Sequence, residues 1–426
     1  MKTREQIQLE AFQALKRNNY TGTICLSTGS GKSKVAIDCI KEGRFKNILI
    51  TSPRTNLKEN WNKELHKWDI KRLESPLNGV KVINSYFYLD TPLRITLENI
   101  QTCYKWSLEE INEFDLIIAD EIHTIVTPEY GNLLINAAEL DIRVIGLTAT
   151  PDKDKVEKQI FYNDYCPIVY EYYDSAEDGI INKRQYITIK YPLTDNYKVL
   201  AGTTKKPFIT GELTQYKYLT DNLRKGQQLM ASTGSSDWFT DAADWFWNGN
   251  GNLEQKTAAR IYLQAIKFRK EFLWNLSSSA DITLKLKEKI FATQSNNKIL
   301  FFSELTKQAD KLTPYTVHSK KDAETNSRLI GMFNKGEIKE LGSCNSLTLG
   351  LNLVGATHAI IESFNSSDVV FQQKAGRTDR LSVDDVATIL FVVPEGTQAE
   401  EWYKKITKKL EIEDKITEYN DLNFDL

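Results

Sequence analysis

Histidine, methionine and cysteine are scarce in this chain, at four, three and five of 426 residues. The cysteines (Cys25, Cys39, Cys103, Cys166, Cys344) are odd in number and nowhere form a Cys-x-x-Cys pair. That argues against a disulfide framework or a cysteine-built zinc site, and for a reducing compartment. His66, His123, His318 and His358 form no metal pair, and no acidic cluster stands out as a second metal site, so a separate nuclease centre is not expected. An excess of one charge is also missing: 55 Lys and Arg face 57 Asp and Glu, for a net charge of −2. A polyanionic partner would therefore have to lie in a local groove rather than in the field of a basic protein. No apolar run approaches bilayer length, and the sequence is polar from Lys2 onward. Neither a membrane span nor a signal segment is predicted, and the cytoplasm is the expected location. The length corresponds to about three domains.

What is present is a phosphate-binding pattern. Leu26 to Ser33 reads Leu-Ser-Thr-Gly-Ser-Gly-Lys-Ser, after a β-branched run and before a helical pattern with Val35, Ala36, Ile37, Cys39 and Ile40 apolar. A strand turning sharply into a helix aims unpaired N–H groups and the positive helix end into the turn. Gly29 and Gly31 allow backbone angles that let the loop of Thr28, Gly29, Ser30 and Gly31 wrap phosphate oxygens. Lys32 would reach the terminal phosphates of ATP, and the Ser33 hydroxyl would hold Mg²⁺. Leu26 stands where the strict pattern has glycine, so the motif alone leaves an ordinary Gly/Ser turn as an alternative.

In chain order, residues 3–16 read as an amphipathic helix carrying Gln6 and Gln8, whose amides suit the adenine edge. Residues 47–52 are a buried strand ended by Pro53 and Arg54, with Arg54 at the carboxyl edge where ligands gather in parallel sheets. A helix follows with Leu57, Trp61, Leu65 and Trp68 at helical spacing, its tryptophans assigned to the core. Residues 80–84 and 94–101 read as strand or crossover. Asp115 to His123 runs an apolar strand into Asp120 and Glu121: the first would hold Mg²⁺, the second would orient and deprotonate the attacking water. Residues 143–151 form a strand ending in Thr148-Ala149-Thr150-Pro151, whose hydroxyls can hydrogen-bond the acidic loop. Strands alternating with helices imply a parallel, doubly wound sheet.

Between residues 194 and 251 the periodicity weakens, and Trp238, Trp245 and Trp247 crowd together before a helix over 258–276. This reads as an inserted, mostly helical module whose tryptophans form its small core in preference to a base-stacking platform. A second sheet follows, with strands near 298–303, 317, 359–362 and 387–393 and a helix over 320–333. Gln372 to Arg380 places Gln373, Arg377 and Arg380 on one helical face, and two guanidiniums suit a triphosphate undergoing cleavage. From Thr397 the chain reads as a charged helical tail.

This ordered series resembles the superfamily-two DExH/D helicases and translocases, most closely their phage-encoded and restriction-type members. The P-loop lies at 26–33, motif Ia at 51–54, the DExH box at Asp120-Glu121-Ile122-His123 and motif III at Thr148-Ala149-Thr150. Motif IV falls at 299–302, motif V at 348–352 and motif VI at 373–380. The resemblance implies an α/β fold of two tandem RecA-like parallel-sheet domains with a mostly helical insert. Motor domain 1 would be 1–185, the linking strand and insert 186–290, motor domain 2 291–396 and the tail 397–426. It further implies that Lys32, Ser33, Asp120 and Glu121 bind and cleave Mg·ATP, with Gln8 and Gly350 at the nucleotide. Arg377 and Arg380 would act as arginine fingers, and His123 would couple to Gln373. Pro53, Arg54, Ser303 and Thr348 would contact nucleic acid, DNA in preference to RNA, and the protein would act as a monomer. Three readings stay open: a DNA helicase or translocase, an RNA-directed motor, and an ATP-switched clamp or motor subunit of a larger assembly.

Overall fold

A computed structural model describes residues 2–53, 57–72, 85–89, 91–153, 156–173, 176–203, 205–294, 296–344, 353–379, 381 and 384–418. The chain packs as two compact units. Met1–Arg184 forms the first, joined by Thr348–Gly355 and Gln372–Ala387; Gln185–Leu347, Ala356–Phe371 and Thr388–Leu426 form the second. Motif VI, expected with the second sheet, is thus grouped with the P-loop.

The first unit is built on β1 (Gly22–Leu26), β2 (Asn47–Ser52), β3 (Lys71–Arg72), β4 (Ser85–Tyr88), β5 (Thr91–Asn99), β6 (Leu116–Asp120), β7 (Arg143–Thr148) and β8 (Ile168–Tyr172). Their order is β3-β4-β5-β2-β6-β7-β1-β8. The six strands from β5 to β8 pair in parallel, and β3 and β4 add an antiparallel edge. β1 is buried along its whole length, and β2, β6 and β7 are buried at all but one end residue, because apolar layers cover both faces. One layer holds Ile7, Leu15, Ile37 and Trp61; the other holds Ile100, Ile111, Leu133 and Phe161. Parallel pairing brings the carboxyl ends of β1, β2, β6 and β7 to one edge, which gathers the motifs.

The second unit carries β9 (Lys183–Pro192), the separate antiparallel hairpin β10 (Lys198–Thr203) and β11 (Lys206–Gly211), then β12 (Ile299–Ser303), β13 (Thr316–Val317), β14 (Glu340–Cys344), β15 (His358–Ile361), β16 (Val386–Glu395) and β17 (Asp414–Glu418). Its seven-stranded sheet runs β13-β14-β12-β15-β16-β9-β17. Two parts differ from the sequence reading. The tail holds the expected helix, Gln398–Lys409, but then pairs β17 in parallel with β9. Asp414, Lys415 and Glu418 occupy three of its five positions, as suits a sheet edge, and they mask its periodicity. The insert opens with the hairpin before turning helical at Glu212–Ser232, Trp238–Ala243 and Leu253–Leu273, with a π-helical turn at Asp244–Asn248. Of the three clustered tryptophans only Trp245 packs on the small core, which Leu223, Met230, Ala242 and Tyr262 already close; Trp238 and Trp247 face solvent. Among the described residues no helix is long and apolar enough to cross a membrane.

A buried polar seam crosses the second unit at the carboxyl end of β15. Gln308 donates to Glu362 Oε1 at 2.8 Å and to the Leu276 carbonyl at 2.7 Å. Among the described residues Glu362 Oε2 has no hydrogen-bond partner, and burial pushes this carboxyl up to about 7. A carboxyl whose folded value is raised binds its proton more tightly in the native state. Its contribution to stability is therefore present below the unfolded value near 4.5 and is lost as pH rises through 7. Glu362→Gln should match the native chain at pH 4 and below and exceed it at pH 8, by up to about 3 kcal/mol for the shift from 4.5 to about 7. Thermal unfolding of both proteins across that range checks it; parallel curves would contradict it.

Candidate nucleotide site

The turn after β1 has the backbone its sequence demands. Gly29 sits at φ +84° and Gly31 at φ +98°, where a β-carbon is disfavoured. At Gly31 a β-carbon would lie 2.2 Å from the Gln8 amide nitrogen, which donates to the Ser30 carbonyl at 2.9 Å. Gln8 therefore braces the loop from the first helix. Gln6 serves another purpose: its side chain accepts the Thr3 N–H at 2.8 Å, closing a capping box at the start of helix Arg4–Arg17. Ser30 is buried and donates to the Ser27 carbonyl at 2.6 Å, tightening the turn. Lys32 Nζ donates to the Leu26 carbonyl at 2.9 Å, so the ammonium lies over the loop. Ser33 follows in the first turn of helix Lys32–Gly43, whose leading N–H groups open into the same turn.

The turn Gly376–Thr378 lies against this loop. A β-carbon at Gly376 would meet Thr28 Oγ1 at 2.9 Å, and one at Gly29 would meet the Asp379 carbonyl at 3.2 Å. Arg377, between those two contacts, is buried. Arg184 fixes the turn by a forked bond to the Asp379 carboxylate, with Nε to Oδ1 at 2.7 Å. Asn182 accepts the Leu381 N–H at 3.3 Å. Planar two-point pairing of this kind sets orientation as well as position.

Asp120 ends β6, and Trp61 Nε1 donates to its Oδ2 at 3.3 Å. Glu121 adopts φ +53°, a left-handed conformation unusual for glutamate, and is nearly buried. Its carbonyl accepts from the Thr124 N–H at 2.9 Å and the Thr124 hydroxyl at 2.8 Å. His123 is buried, with Nδ1 2.9 Å from Thr148 Oγ1 and Nε2 3.2 Å from Gln373 Nε2. The Thr148 hydroxyl gives its one proton to the Thr150 carbonyl at 3.0 Å. With that hydroxyl turned to Thr150, the Nδ1 tautomer of His123 satisfies both contacts, its Nε2 accepting from the Gln373 amide. Glu121 Oε2 lies 3.5 Å from the same Nδ1. From helix Val156–Asp164, the buried Lys158 donates to the His123 carbonyl and pairs with Asp152 at 2.9 Å.

The structure thus brings Gln8, Thr28, Gly29, Ser30, Gly31, Lys32 and Ser33 together with Gln373 and Arg377 in the unit that also carries Asp120, Glu121 and His123. Arg380, Gly350, Arg54 and Thr348 lie outside the described residues. Pro53 follows β2, half-buried. Ser303 ends β12, fully buried. Sequence reasoning missed Trp61 as a partner of Asp120, the Lys158–Asp152 pair and the Arg184–Asp379 fork. No spacing rule marks them, since each pair meets only through the fold.

Two units, each built on a largely parallel sheet, the first carrying this P-loop and acidic turn, define the class of RecA-like ATPase motors. Comparison with known proteins names the family. The model for the Type III restriction enzyme res subunit matches residues 2–153, and that for the helicase conserved C-terminal domain matches residues 282–382. Saccharomyces cerevisiae Dbp5, solved with RNA and ADP BeF3, superposes with a TM-score of 0.58 at 13% identity, over 98% of this chain and 90% of that one. The Hef helicase domain of Pyrococcus furiosus gives 0.51 at 16% identity, over 95% and 99%. No curated protein matches the sequence. The chain belongs to the superfamily-two DExH/D helicases and is an ATP-hydrolysing enzyme of the nucleic-acid helicase class.

The Lys158 contacts generate a test. Lys158→Met, combined with Asp152→Asn so that no carboxylate is left buried alone, should lower kcat for ATP by about 10- to 100-fold with little change in KM. Lys158→Arg in the native background should recover most of the loss. Steady-state ATP turnover measures both; a KM effect alone would assign Lys158 to binding rather than to positioning the acidic turn.

Proposed function

We propose that this enzyme is a DNA-directed helicase or translocase, acting as a monomer on branched or forked DNA. The observation that carries the nucleotide half of this reading is the lodging of the Gly376–Asp379 turn against Thr28 and Gly29, which puts a buried arginine beside a phosphate loop. Lys32 would bind the terminal phosphates and Arg377, with Arg380, would offset the charge that builds on the transferring phosphoryl group. Glu121 would take the proton of the attacking water. His123 would report the state of that turn to Gln373 through a single shared hydrogen bond.

Mg²⁺ fits the donors available. Ser33 and Asp120 offer hard oxygens, and among the described residues no group of three or more His, Cys, Asp or Glu side chains gathers to hold a metal. That suits an ion that takes one or two protein ligands and completes its shell with phosphate oxygens and water. When bound it would neutralise charge on the phosphates; orienting the water and accepting its proton remain tasks of Glu121.

The restriction-enzyme match over residues 2–153 favours DNA. The likeness to Dbp5, solved with RNA, supports an RNA-directed motor as the second reading. ATP turnover measured with no nucleic acid, single-stranded DNA, forked DNA and RNA separates them. Forked DNA should stimulate most; stimulation by RNA alone would replace the first reading with the second, and equal rates throughout would overturn both. Glu121→Gln should retain ATP binding and lose about 10²- to 10⁴-fold in turnover, and unimpaired hydrolysis would remove Glu121 from the role of base.

A further inference from the structure

The tip of the insert takes no part in the chemistry above. Residues 226–255 contain no lysine or arginine and four carboxylates, Asp237, Asp241, Asp244 and Glu254. In the same stretch Trp238, Phe239, Phe246 and Trp247 are exposed, Trp247 at 64%. On the helices that flank this stretch in sequence, Leu229, Leu253 and Ile261, also exposed, line a groove of about 360 Å³ between Glu212–Ser232 and Leu253–Leu273. Patches of this kind on a folded protein mark surfaces that bind something.

The carboxylates hold this tip in shape. Asp237 accepts the Thr240 N–H at 3.2 Å and caps helix Trp238–Ala243. Asp241 accepts the Ser235 hydroxyl at 2.7 Å and the Ser236 N–H at 3.0 Å. Asp244 accepts from the Asn248 and Asn250 amides at 3.0 and 2.7 Å. The aromatic side chains are thus presented from a braced turn whose fixed charges are all negative. That sign argues against nucleic acid as the occupant. A base-stacking platform works beside cations that track the phosphate backbone, and this stretch has none. A cationic chain with large apolar side chains meets both features: its charge is attracted, and its apolar groups fill the groove and cover the indoles.

We propose that the insert tip is a docking surface for a protein partner presenting a cationic segment with large apolar anchors. Trp238→Ser combined with Trp247→Ser tests it, since both side chains face solvent. Three labelled probes are used: an amphipathic leucine–lysine peptide, its leucine–glutamate counterpart and single-stranded oligothymidylate. The leucine–lysine peptide should bind the native enzyme and bind the double variant about tenfold or more weakly, while the glutamate peptide binds neither. Oligothymidylate affinity and nucleic-acid-stimulated ATP turnover should be the same in both proteins. Absence of leucine–lysine binding, or binding untouched by the substitutions, would overturn the proposal. Loss of oligothymidylate affinity in the double variant would reassign the surface to base stacking. A native enzyme that hydrolyses no ATP would count against the motor reading and leave the docking surface standing.

Discussion

A buried imidazole joins three segments of the candidate nucleotide site. With the Thr148 hydroxyl turned to Thr150, the Nδ1 tautomer of His123 leaves the opposite nitrogen as an acceptor for Gln373. Each of those three side chains stands on a different segment: the turn after β6, the end of β7 and the stretch Gln372–Ala387. Moving the proton to Nε2 would require the Thr148 hydroxyl to turn from Thr150 to Nδ1 and the Gln373 amide to present its oxygen. The tautomer of His123 is therefore coupled to the side-chain arrangement of all three segments. His123 lies between Glu121, 3.5 Å from Nδ1, and Gln373 on the other ring nitrogen.

Much of this was legible in the sequence because the motifs lie at strand ends. Apolar runs covered on both faces identify parallel strands, and a residue two or three positions beyond such a run must sit at the ligand-binding edge. Lys32, Asp120, Glu121 and His123 were therefore placed by position alone. The side chains that hold them were not, since Trp61, Lys158 and Arg184 belong to patterns that read as helix face or strand. Their partners lie 59, 35 and 195 residues away. Nothing in local spacing encodes such distances.

The insert tryptophans show the opposite limit. A cluster of aromatics with weak periodicity suggested a small core, because burial is what large aromatic side chains normally gain. The helices flanking them already close that core with Leu223, Met230, Ala242 and Tyr262, and of the three indoles only that of Trp245 packs against it. The others are held outward by aspartates whose hydrogen bonds fix the turn. A hydrophobic count alone does not distinguish these cases; the volume available between two packed helices does.

The conformation of Glu121 joins these points. A glutamate at φ +53° sits in a sparsely populated region and persists only when its surroundings determine it, at a cost of order 1 kcal/mol. Here Thr124 takes the Glu121 carbonyl from one side, and Lys158 takes the His123 carbonyl from the other. With both carbonyls satisfied, Asp120 can remain on the strand while the carboxylate of Glu121 turns away from the strand direction. Two adjacent acids thereby acquire different surroundings, which is what separate duties at one phosphate would require. Asp152, which pairs with Lys158 behind this turn, shares the left-handed conformation at φ +54°.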